Sequence, residues 1–334
     1  MHLRLFVIYC FLSIADTAIS QTNIVDTINT LRGDLRVHDP VMIKQGNTYY
    51  IFHTGKGISI KTSTDRIHWK NAGRVFDSTT LPAWHKKDIP NQDGSLWAPD
   101  IHFSNGKYHL YYSVSAWMNF NSSVGYATNT TLDKNDPAYK WVDEGQVISF
   151  KNGGEKVNVI DPNIFIDTDK KEWLVYGSYQ AGLRLAELNP ATGKLFTEQP
   201  TLITLTTSLG EGSFIIRDHE YYYLFASRGK CCSGINSTYQ IVIGRSKSIK
   251  GPYLNKEGES WVDNKYSLFL EGDYNEPGRG HNGFFTEHDT TFIVYHAYTR
   301  SANGTPLLNI KPVYIDEKGW PTMERTSKLF KREE

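Results

Sequence analysis

Short apolar runs rich in aromatic residues recur along the chain, and helical periodicity is hard to find. The clearest runs are Tyr49-Tyr-Ile-Phe-His53, Tyr108-His-Leu-Tyr-Tyr112, Trp173-Leu-Val-Tyr176, Tyr222-Tyr-Leu-Phe225 and Phe292-Ile-Val-Tyr295. Their starts lie 59, 65, 49 and 70 residues apart. A turn rich in Gly, Asn or Asp precedes each, for example Gln45-Gly-Asn47 and Ser104-Asn-Gly106. Before each turn lies another apolar stretch: Pro40-Val-Met-Ile43, Pro99-Asp-Ile-His-Phe103, Pro162-Asn-Ile-Phe-Ile166, Ser213-Phe-Ile-Ile216 and Asn282-Gly-Phe-Phe285. Strand, turn, strand is the reading. A third strand follows several of the pairs, as at Ser123-Val-Gly-Tyr-Ala127 and Ile241-Val-Ile-Gly244. Five such units predict an all-β, single-domain five-bladed β-propeller, with the first strand of each blade lining a central channel.

Composition narrows the function. Lys+Arg and Asp+Glu are both 36, so the net charge is zero. That argues against nucleic acid or an anionic membrane as a partner. Aromatic residues reach 13%, which suits β-strands and also a site that stacks on sugar rings. Near its start the chain carries Arg4, an apolar run from Leu5 to Ala15, and Ala18-Ile19-Ser20. This reads as a signal peptide over residues 1–20, followed by a propeller domain over 21–334, exported and monomeric. Apart from Cys10 in the signal, the only cysteines are the adjacent Cys231 and Cys232. They could be joined or free, and sequence does not decide. Sequons stand at Asn121, Asn129, Asn236 and Asn303.

At the head of each inner strand stands a polar residue: Asp39, Asp100, Asp161, Glu211 and His281. Pseudo-symmetry is expected to bring them toward the axis. Four carboxyls and an imidazole around a narrow channel would be costly as a structural device alone, which points to function. Two separated carboxyls with divergent pKa values can hydrolyse a glycosidic bond. One stays ionised and activates water; the other stays protonated and gives its proton to the leaving oxygen. A third carboxylate near the acid would raise its pKa. His281 could be a metal ligand, a hydrogen-bond organiser or a packed structural histidine.

These residues resemble the arabinanases of glycoside hydrolase family 43. The matching segments are Val37-His-Asp-Pro40, Leu96-Trp-Ala-Pro-Asp-Ile101, Tyr111-Tyr-Ser-Val-Ser115, Val159-Ile-Asp-Pro-Asn163, Leu174-Val-Tyr-Gly-Ser178, Gly210-Glu-Gly212, Cys231-Cys232, the run from Ile243 to Tyr253 and Gly280-His-Asn282. The resemblance implies Asp39 as general base, Glu211 as general acid and Asp161 as the residue that tunes the acid, in an inverting reaction. It also implies a calcium or similar ion in the channel near His281, held mostly through water. Two segments depart from the pattern. Trp117-Met-Asn-Phe-Asn121 replaces a shorter turn in the cleft, and Gly278-Arg-Gly280 stands where Gly-Pro-Gly is common.

Trp97 and Trp117 are candidate sugar platforms, and His38 is a candidate to orient the base or contact substrate. Asp100 receives a backbone-capping or channel-lining role. The leading functional reading is a secreted endo-hydrolase of α-1,5-linked arabinan. An exo-acting α-L-arabinofuranosidase or β-xylosidase on the same fold is the enzyme alternative, and a non-catalytic sugar-binding propeller the alternative of another class.

Overall fold

The computed structural model describes residues 30–325 apart from 118 and 209, together with 328 and 329. The expected signal segment, residues 1–20, lies outside the described residues. Strands dominate, arranged as five blades, antiparallel except for the outer Arg32–Gly33 of the first, which runs parallel to His68–Arg74, and one small sheet of Tyr314–Ile315, Pro321–Thr322 and Lys328–Leu329. The inner strands are Val41–Gln45, Ser95–Ser104, Asn163–Ile166, Glu211–Asp218 and Gly278–Glu287. Each aromatic run forms the second strand of its blade: Thr48–His53, Lys107–Ser115, Glu172–Ser178, Tyr221–Arg228 and Thr290–Thr299.

The aromatic strands read as continuous apolar runs because both of their faces are covered. Tyr50 and Phe52 of the first blade pack toward the second, beside Leu110 and Tyr112. Tyr49 and Ile51, on the opposite face of the same strand, pack toward the fifth blade beside Val294 and Leu308. The same sharing joins blades two and three, three and four, and four and five. The fifth blade has three strands of its own. Residues near the chain start complete it: Arg36 bridges Leu307, and the Leu308 N–H donates to the Leu35 carbonyl. The ring is thus closed by the segment that leads straight into Asp39.

Every inner strand carries a bulge at the same height. Pairing jumps from Trp97–Ser113 to Asp100–Tyr111, from Glu211–Ser227 to Phe214–Phe225, and from Gly280–His296 to Gly283–Val294. In blades one and three the corresponding steps run from His38 to Val41 and from Ile160 to Asn163. The first bulged residue is left-handed in each blade: Asp39 (φ 53°), Ala98 (43°), Asp161 (57°), Gly212 (56°) and His281 (53°). A bulge of this kind re-aims side chains at a sheet end.

This corrects the equivalence drawn from sequence. The structural counterparts of Asp39, Asp161 and His281 are Ala98 and Gly212, not Asp100 and Glu211. Glu211 precedes its bulge by one residue and matches His38 and Trp97. Asp100 follows its bulge and is buried away from that tier.

Candidate active site

Two consecutive positions per blade therefore build the end of the channel: one just before the bulge and one at its start. The first tier holds His38, Trp97, Ile160, Glu211 and Gly280. The second holds Asp39, Ala98, Asp161, Gly212 and His281. Six of the candidate residues fall on these tiers, and Trp117 lies on the loop after the second strand of blade two.

The left-handed N–H of each bulge is capped by a side chain from the end of the preceding blade's second strand. Asp39 N–H donates to His296 Nδ1 (3.1 Å), Ala98 N–H to Thr54 Oγ1 (2.8 Å), Asp161 N–H to Ser113 Oγ (2.8 Å) and His281 N–H to Ser227 Oγ (2.7 Å). In blade three the corresponding residue is Gly177, which has no side chain. There Asp161 Oδ2 itself accepts the Gly212 N–H at 3.0 Å. Asp39, Ala98, Asp161 and His281 adopt the same φ, so what calls for glycine at 212 is space: a Cβ there would lie 2.9 Å from His281 Nδ1.

Asp39 is buried and surrounded by donors. Thr54 Oγ1 donates to its Oδ2 at 2.5 Å, His38 Nδ1 lies 2.8 Å from Oδ2, and His281 Nδ1 lies 3.1 Å from Oδ1. Burial pushes its pKa up, but the charges and hydrogen bonds of His281 and His38 win and hold it well below the usual carboxylate range. Asp161 Oδ2 lies 3.9 Å from His281 Nδ1. Burial raises its pKa to about 6 against the pull of His281, with Asp39 adding repulsion. Glu211 is raised to about 8, first by burial and then by the charge of Asp161; Tyr239, which donates to its Oε1 at 2.9 Å, and His281 oppose the shift. The arrangement keeps one carboxyl ionised and another protonated at the same neutral pH, as acid–base hydrolysis demands.

His281 is raised to about 9, because Asp39, Asp161 and Glu211 outweigh the cost of its burial. Its Nδ1 serves Asp39, and among the described residues its Nε2 makes no hydrogen bond. A second group of ligand-type atoms, from His38, Asp39 and His296, lies within 4.8 Å. His296 Nδ1 and the two His38 nitrogens are engaged in hydrogen bonds. Among the described residues His296 Nε2, like His281 Nε2, has no hydrogen-bond partner.

Asp100 accepts from Asn163 Nδ2 (3.0 Å) and Ile164 N–H (2.7 Å), and burial raises its pKa to about 6. It ties blade two to blade three, in keeping with the capping role. Trp97 is half-buried, whereas Trp117 is 72% exposed and Phe120, on the same loop, 59% exposed. Asn121, a sequon residue, donates its amide to the Asp88 carbonyl at 3.0 Å. Cys231 and Cys232 are joined as a vicinal disulfide. Arg279, the residue in place of proline, bonds Glu276, Asp273 and the Glu271 carbonyl, bracing the loop before the fifth inner strand.

Sequence reasoning missed Thr54, Tyr239, His296 and Tyr298. His296 is fully buried and its ring stacks on His38 at 4.1 Å between centroids. Tyr298 Oη lies 2.8 Å from His38 Nε2. A signal existed: each of Thr54, Ser113, Ser227 and His296 is a polar residue at the end of an apolar second strand.

A model of the family described as glycosyl hydrolases family 43 matches residues 33–321. A Cellvibrio japonicus protein named extracellular exo-α-(1→5)-L-arabinofuranosidase ArbA is 39% identical, over 86% of this chain and 86% of its own. The extracellular endo-α-(1→5)-L-arabinanase 1 of Bacillus subtilis is 36% identical, over 86% of this chain and 87% of its own. The solved structure of Cellvibrio cellulosa α-L-arabinanase complexed with arabinohexaose superimposes with a TM-score of 0.82 at 38% identity, covering 87% of this chain and 96% of that one.

Proposed function

The chain belongs to glycosyl hydrolases family 43, and we propose that it cleaves α-1,5-linked arabinan by inverting single displacement, acting within the polymer. Asp39 is the general base, Glu211 the general acid, and Asp161 the neighbour whose charge keeps Glu211 protonated. The observation that carries this reading is the opposed protonation of Asp39 and Glu211 around one channel end. A non-catalytic sugar-binding propeller would have no use for it. Similarity to both an endo-arabinanase and an exo-arabinofuranosidase supports the arabinan backbone as substrate. The exposed Trp117 and Phe120 favour the endo mode, because they offer stacking surfaces to sugars beyond the cleaved bond. The 39% identity to the exo-acting relative supports the other mode. Product analysis on linear arabinan separates the two. A ladder of oligomers is expected early in the reaction, and a single small product from the first minutes would establish exo action. The signal-like residues 1–20 and the relatives' extracellular names support export.

A calcium-like ion at His281 would have to displace the proton that the neighbouring carboxyls keep on the ring, and water would fill the oxygen positions that such ions prefer. The ion would supply positive charge beside Asp39, as that proton does. Adding calcium to chelator-treated protein should raise the melting temperature by about 5 °C at saturating concentration. The rise should vanish in His281→Ala. An equal rise in both proteins would place the ion elsewhere.

A further inference from the structure

We infer that the Cys231–Cys232 disulfide is a positioning device for the proposed general base, acting through Tyr298 and His38. The inference rests on the assignment of Asp39 above.

The connection is short and directional. Cys232 N–H donates to Tyr298 Oη at 2.8 Å. Tyr298 Oη lies 2.8 Å from His38 Nε2, and His38 Nδ1 lies 2.8 Å from Asp39 Oδ2. An ionised carboxylate can only accept, so a proton sits on His38 Nδ1. The other ring nitrogen, Nε2, pairs with the Tyr298 hydroxyl, whose oxygen accepts the Cys232 N–H. Every donor meets an acceptor from the loop to the base. His38 is further fixed by stacking on the fully buried His296, whose Nδ1 accepts the Asp39 N–H.

The disulfide matters because of which bond it encloses. A bridge between adjacent cysteines closes a ring of eight atoms that contains the peptide linking them. That peptide carries the N–H given to Tyr298. The two Cα atoms are 3.8 Å apart, the spacing of a trans peptide. Cys232 is left-handed, with φ 61°, a conformation that costs a β-substituted residue free energy. The ring holds this peptide plane in place. With the bridge open the plane can rotate, and Tyr298 loses the donor that sets its hydroxyl. The pair lies on the loop after the second strand of blade four, and Cys232 is exposed, so a reductant can reach it. Neither cysteine belongs to the buried hydrophobic clusters on the two faces of blade four.

The test uses the intact enzyme treated with tris(2-carboxyethyl)phosphine. The phosphine gives two electrons to the S–S bond and ends as its oxide with oxygen from water; each sulfur takes a proton. Thiol titration should find two new thiols. In that state kcat on arabinan should fall about tenfold, the scale of one orienting hydrogen bond to a charged group, with KM within about twofold. Reoxidation with a small-molecule disulfide should restore it. Tyr298→Phe, with the bridge intact, should show a similar loss of kcat, and reduction of that variant should add nothing. The C231S/C232S double variant repeats the first arm without reductant, and melting curves check folding. Full kcat with two thiols titrated, full kcat in Tyr298→Phe, or losses that multiply would each overturn the inference. The outcomes separate it from the parent assignment. Should Asp39→Ala keep its rate, the assignment of the base fails; should Asp39→Ala be dead while reduced enzyme and Tyr298→Phe are fully active, only the relay fails.

Discussion

Glu211→Ala should lower kcat on arabinan about a thousandfold or more, while an aryl arabinoside with an acidic phenol keeps much of its rate. The contrast follows from the proposed role. In arabinan the leaving group is a sugar alkoxide, and its departure needs a proton in the transition state. A positioned acid contributes about 10²–10⁴ to such a step. A phenolate of low pKa leaves without help, so the missing proton costs little. Asp39→Ala should lose at least as much on arabinan and gain nothing from the better leaving group, because the attacking water still lacks its base. KM should change far less than kcat in both variants, since neither interaction is made more in the bound substrate than in the transition state. Initial rates on the two substrates decide the matter. A Glu211→Ala enzyme equally crippled on both, or an Asp39→Ala enzyme rescued by the aryl substrate, would exchange or abolish the roles.

The five units were legible in the sequence because each second strand is buried on both faces and so reads as an unbroken aromatic run. Tyr49 to Phe52 cannot alternate with polar residues when odd and even positions pack against different blades. The alignment of site residues was less legible. Matching by side-chain chemistry set Asp100 and Glu211 level with Asp39. The backbone repeats a left-handed bulge instead, and at two of its five sites that bulge holds Ala98 and Gly212. Neither residue announces a site. The repeat's spacing marked Glu211, though one position away from its structural counterparts, and its role as the acid came from the segment's resemblance to a family. The hydrogen-bond partners were hidden for another reason. Thr54 and His296 serve bulges in the next blade, and Tyr298 reaches His38 across 260 positions of chain. Such pairings follow from ring closure, and the only local trace they leave is a polar residue at the end of an apolar strand.

Replacing Asp161 with asparagine should move the basic limb of kcat/KM to lower pH by about one unit or more. As the proposed acid, Glu211 must be protonated to act, so activity should fall as pH rises through its pKa of about 8. After burial, the largest contribution to that elevation is the charge of Asp161. Asparagine removes the charge and keeps an oxygen able to accept the Gly212 N–H, so the bulge is preserved. With the repulsion gone, ionised Glu211 becomes easier to form, its pKa falls, and the acid is lost at lower pH. The acidic limb should move little, because Asp39 is held ionised chiefly by His281 and His38. The result is a narrower profile displaced toward acid, most visible as a steep loss between pH 7 and 8, about where the wild-type acid is still protonated. Asp100→Asn is the control. Asp100 is also buried with a pKa raised to about 6, but its partners are Asn163 and Ile164. It is not among the main causes of the Glu211 shift, so its loss should move the limb far less. A basic limb unchanged in Asp161→Asn, or displaced equally in Asp100→Asn, would mean that the channel end is tuned by burial alone. Asp161 would then be a cap for Gly212 and nothing more.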